Sequence, residues 1–186
     1  AGRRFNRDLQ GLENWSDEGD VRQKLKSMNI EVNFDLSPFY DLTISNGSRK
    51  VKFSLEEPAF YLVRRGPVSG SLDRGLLEQS LDLGVDVHFG ESPSEEDVDI
   101  VATGPVFQTT PAIVRGIGFH TEMEDIAVLI FNNNIAYKGY SYFLVSDGYG
   151  CMCSVNFDKF EKVDSCFRET KKAFLETMDL DLKDPW

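Results

Sequence analysis

The alternation of apolar and polar positions divides the chain into segments of two textures. Ile30-Glu31-Val32-Asn33-Phe34-Asp35-Leu36 alternates strictly, so a strand there would carry Ile30, Val32, Phe34 and Leu36 on one face. A second strand is expected around Phe39 to Ile44, joined to Val51–Leu55 through Ser45-Asn46-Gly47-Ser48. Asn-Gly between such runs is a strong hairpin signal. Ala59 to Val63 is a continuous apolar run that ends on Arg64 and Arg65. After a Gly/Pro/Ser loop, Ser71 is placed to cap a helix, with Asp73 in its first turn and Gly84 at the left-handed position beyond its end. Val85 to Phe89 and Val98 to Gly104 then read as two further strands. Beyond Gly104 the texture becomes all-β, with runs at Ala112–Phe119, Asp125–Phe131, Tyr140–Val145 and Cys151–Phe157. The short polar links between them favour antiparallel neighbours.

Two helices flank these segments. Ser16 is placed to cap the first, with Val21, Leu25 and Met28 on one face. Asp164 is placed to cap the second, which carries Phe167, Phe174 and Met178 inward, with Lys171 and Lys172 on its wet side. Ala1 to Trp15 shows neither a clean period nor a turn-bounded strand. The expected class is α+β: a mainly antiparallel sheet covered by helices, with a small α/β portion. Residues 1–111 form one region with a β-hairpin insertion, and 112–186 form a second. Phe119, Leu129, Phe143, Phe167 and Phe174 are expected in the core, because at these periods they would otherwise form a large exposed patch.

Composition narrows the classes. The 186 residues are 41% hydrophobic and 27% charged, which suits an ordinary globular chain. A formal charge of −11 argues against a nucleic-acid groove, which needs clustered Lys and Arg. No run is long and apolar enough to span a membrane and the start has no signal-like apolar stretch, so a cytoplasmic setting is the default expectation. Cys151 and Cys153 would share one face of a strand while Cys166 lies in a helical pattern. Neither His88 nor His120 falls at a zinc-finger spacing, so the cysteines read as thiols rather than a zinc site. No Ser/His/Asp or Cys/His arrangement points to hydrolysis. Gly116-Ile117-Gly118 is followed by Phe119-His120-Thr121, which is too bulky for a pyrophosphate turn.

A resemblance joins these pieces. Arg64-Arg65, Leu72-Asp73-Arg74-Gly75-Leu76-Leu77-Glu78-Gln79-Ser80, Gly84-Val85-Asp86-Val87 and Asp99-Ile100-Val101-Ala102-Thr103-Gly104 follow in an order that resembles the middle of flavin-dependent oxidoreductases of the geranylgeranyl reductase type. The Gly-Arg-Arg-Phe…Gln-Gly-Leu-Glu-Asn-Trp start is similar to the stretch after that family's first βαβ unit. Gly139-Tyr140-Ser141-Tyr142 resembles its aromatic substrate-sheet motif, with Tyr137-Lys138 where the family shows Pro and Tyr142 where it commonly shows Trp. The seven residues from Gly66 to Leu72 make the Arg65-to-Asp73 gap longer than the family pattern.

The resemblance implies FAD in the full-length protein, with Arg65 and Gly104 beside the nucleotide and Gly139, Tyr140 and Tyr142 beside an apolar, isoprenoid-like substrate. A lipid substrate would bring peripheral membrane contact. The Gly-rich pyrophosphate loop and the family's C-terminal Gly-Asp segment are not found, so the chain reads as an internal segment that should not retain FAD alone. The alternative is a non-catalytic α/β module that binds a small apolar ligand or a protein partner.

Overall fold

The computed structural model describes residues 8–15, 19–102 and 110–178. The fold is α+β, with two mostly antiparallel sheets stacked between helices. The smaller sheet has the order β1-β5-β2, from Leu9–Glu13 (β1), Phe60–Arg64 (β5) and Ser37–Phe39 (β2). The larger has the order β4-β3-β7-β8-β9-β6. Its strands are Asp41–Ser45 (β3), Lys50–Ser54 (β4), Ile113–His120 (β6), Ile126–Ile130 (β7), Tyr140–Ser146 (β8) and Tyr149–Asn156 (β9). Its neighbours pair antiparallel except β3 with β7, so the hairpin from the N-terminal half continues a sheet built in the C-terminal half.

Side-chain alternation sorts the sheet faces into three cores. On one face of the large sheet, Phe119, Val128, Phe143, Val145 and Met152 pack with Phe174 of helix α3, Val163–Met178. Beneath that helix the hydroxyls of Ser141 and Thr170 meet at 2.7 Å, and Ser154 donates to the Ile135 carbonyl, so these buried polar atoms are paired. The opposite face, with Ala127, Leu144 and Cys151, packs on Leu9, Phe39, Phe60 and Leu62 of the small sheet. The far side of the small sheet buries Tyr61 and Val63 with Phe34 and with Val21 and Leu25 of helix α1, Val21–Ser27. β5 is therefore covered on both faces, which is why it reads as an unbroken apolar run.

The expected hairpin is present, with Gly47 at φ +94°. Helix α2, Leu72–Asp82, starts on the Ser71 cap and is followed by Gly84 at φ +80°. Phe119, Phe143 and Phe174 are fully buried, while Leu129 and Phe167 are half-buried.

Six expectations are corrected. Leu9–Glu13 is a strand despite its weak period, because all five residues pair with β5. The first helix is capped by Asp20, which accepts from Arg22 N, and Ser16 lies outside the described residues; Met28 is exposed at its end. Ile30–Leu36 is not a strand: Glu31 exchanges hydrogen bonds with the Gln79 side chain and Asp35 N donates to Gly70 O, so no ladder forms. The Phe39–Ile44 segment divides at Tyr40, and its two halves join different sheets. Val85–Phe89 and Val98–Ala102 have no strand partner among the described residues, and Phe89 and Ile100 are 72% and 82% exposed. Asp164 lies in the first turn of α3 and does not cap it, because a 3-10 turn, Phe160–Lys162, leads directly into the helix.

Candidate functional site

The glycine and tyrosines of the Gly139-Tyr140-Ser141-Tyr142 motif enter β8 on a loop held by asparagines. Asn133 Oδ1 accepts from Lys138 N at 3.0 Å, and Asn156 Oδ1 accepts from Tyr137 N at 2.9 Å. A Cβ on Gly139 would fall 1.9 Å from the Val155 carbonyl oxygen, so the glycine is required by the close approach of β9. Ser141 turns toward α3, whereas Tyr140 and Tyr142 share the face that looks toward the small sheet. Their rings lie 6.2 Å apart, and the Phe131 ring lies 5.7 Å from Tyr140, tilted by 37°.

These rings line an inter-sheet groove of about 470 Å³. Leu42, Val114, Leu129, Leu144 and Val155 complete its large-sheet side, and Leu9, Gln10, Gly11, Glu13, Trp15 and Phe60 supply the wall across from them. β1 and its exit thus form much of that wall, although no strand signal is legible there in the sequence. Burial raises the Tyr140 phenol pKa, and the Glu13 carboxylate adds to the shift. The Tyr142 phenol is pushed up first by burial, then by Cys153, Cys151 and Asp8. Both phenols are neutral hydrogen-bond donors at neutral pH. The groove therefore offers an apolar channel with a few polar positions, the composition of a small-molecule site.

Arg65 stands elsewhere. Its Nε and Nη2 clasp the Asp73 carboxylate at 2.8 and 3.0 Å, and Nη1 donates to Gln10. Asp73 Oδ2 also accepts from Gly66 N at 2.8 Å, which fastens the loop before α2 to the helix start. Arg64 reaches the opposite way, to Asp147 at 2.7 Å and over the Tyr149 ring, and ties the small sheet to the β8–β9 turn. Gly104, like Arg3 and Arg4, lies outside the described residues. Gly116 and Gly118 are inside β6, paired with Cys153 and Cys151, so they form no phosphate turn.

A second cluster lies behind Tyr142. Asp8, Cys151 and Cys153 place a carboxylate oxygen and two sulfurs within 4.8 Å of one another, and all three cysteines of the chain are free and buried. Sequence spacing pairs the cysteines but not Asp8, which arrives only through the β1–β5 pairing. Among the described residues no helix is long and apolar enough to cross a membrane. Neither a protein-family profile nor any curated protein matches the chain.

Proposed function

We propose that the chain is the middle and substrate-side region of a flavin-dependent reductase or dehydrogenase, and that its inter-sheet groove takes an apolar, isoprenoid-like chain. The observation that carries this reading is the groove itself: two neutral phenols and Phe131 face aliphatic side chains in a cleft of about 470 Å³, within the range of small-molecule sites. An apolar chain lying there would be shielded from water on both sides, with Tyr140 or Tyr142 donating to a polar head group. Trp15, 62% exposed, lines the groove with an amphipathic ring of the kind enriched at lipid interfaces.

The flavin half of the reading rests on resemblance. The described residues do not fit a dinucleotide by themselves, since the Arg65 fork is already on Asp73 and Gln10 and the segments after α2 form no strands to frame a nucleotide. No hydride step is assigned to them. That misfit favours the second reading, a non-catalytic module that uses the same groove for a small apolar ligand.

Titration with a prenyl alcohol, followed by Trp fluorescence, tests the groove. We expect a saturable change that Leu129→Arg abolishes, with the fold intact by circular dichroism. A response unaltered by Leu129→Arg would overturn the placement. Binding by the chain alone together with flavin-dependent reduction by a longer gene product would support the reductase reading over the module.

A further inference from the structure

We propose that Asp8, Cys151 and Cys153 form a site for a thiophilic divalent cation of the zinc class. The two sulfurs and a carboxylate oxygen already lie within 4.8 Å of each other. A tetrahedral zinc with bonds of about 2.3 Å to sulfur and about 2.0–2.2 Å to oxygen sets its ligands roughly 3.5–3.8 Å apart, so a contraction of at most about 1.3 Å closes the set. Three protein ligands leave one tetrahedral position for solvent.

Both cysteines are buried and Asp8 is half-buried beside them. Their neighbours on the same face, Ala127 and Leu144, are apolar. A disulfide is not the alternative. Residues i and i+2 of a strand are about 6.5 Å apart with parallel Cβ directions, whereas a disulfide needs Cβ atoms about 3.5–4.5 Å apart. β9 is held by ladders to β8 and β6 on both edges and cannot buckle to close that gap. Gly116 makes room on the β6 side, because a Cβ there would lie 2.2 Å from Cys153 Sγ. Leu9 and Tyr142 adjoin both the cluster and the groove, and Asp8 is half-exposed, so the cluster is not sealed from solvent.

The test is a Co(II) titration of the reduced, chelator-treated 186-residue chain. One equivalent should produce thiolate-to-cobalt charge transfer and tetrahedral ligand-field bands, displaced by Zn(II). Cys151→Ser, Cys153→Ser and Asp8→Asn should each weaken binding by at least about tenfold, the smaller effect seen when only an outer partner of a metal ligand is lost. Cys166→Ser, on α3 across the sheet, should leave binding unchanged. As a check that needs no variant, Zn(II) should protect Cys151 and Cys153, but not Cys166, from maleimide in mild denaturant. Absent charge transfer, bands that survive Cys151→Ser/Cys153→Ser, or equal protection of all three thiols would overturn the site.

Discussion

Arg65 illustrates how a residue's neighbours decide its work. Its hydrogen bonds hold the Asp73 carboxyl below the ordinary carboxylate range, against burial and with help from Gly66 N. The folded pKa is thus lower than the unfolded one, and the contribution to stability is complete above the ordinary Asp value of about 3.9. It is lost as pH falls through the depressed folded value. Asp73→Asn should therefore lower the urea midpoint at neutral pH, and the gap to the parent should narrow at about pH 3. A gap of the same size at both pH values would show that the carboxylate's charge is not what matters. The family resemblance implied Arg65 beside a nucleotide; the partner the fold gives it, Asp73, was legible in the sequence as a first-turn acid but not as the partner of Arg65. Gly139 shows the converse: its motif position was legible, but its reason, the Val155 carbonyl, lies on another strand.

Elements whose signals are local were legible, and elements that exist only through pairing were not. The four C-terminal strands, the Asn-Gly hairpin and the Ser71-capped helix each carry their own period, turn or cap. β1 is defined by β5, and Ile30–Leu36 stays unpaired because Gln79 and Gly70 occupy its backbone groups. Alternation there still placed Phe34 inside. Val85–Phe89 has the texture of a strand, but strand texture is a fit to a half-buried surface, and among the described residues no surface meets it. For α3 the burial is decisive. Phe174 is fully buried, with its ring 5.6 Å from Phe143, so Phe174→Ala should cost about 3–5 kcal/mol. An unchanged denaturation midpoint would remove α3 from the core.

At the scale of the molecule, two stacked sheets leave a groove at one end of their interface, and Tyr140 and Tyr142 are its most polar lining on the large-sheet side. The class and the shared tyrosine face were readable from the sequence; the opposite wall was not, because β1 was not. The purified chain should be colourless and should leave added FAD fluorescence unchanged at micromolar concentration, since the sequence has no Gly-x-Gly-x-x-Gly turn to receive a pyrophosphate. A yellow preparation with stoichiometric flavin would place the cofactor loop within this chain. The central claim, an apolar ligand between the sheets, is tested most directly by methyl NMR of the chain titrated with a prenyl alcohol. Shifts should concentrate on Leu9, Leu42, Leu129, Leu144 and Val155. Shifts centred instead on Ile126, Val128 and Ile130 of the α3 face, or none at saturating ligand, would contradict it.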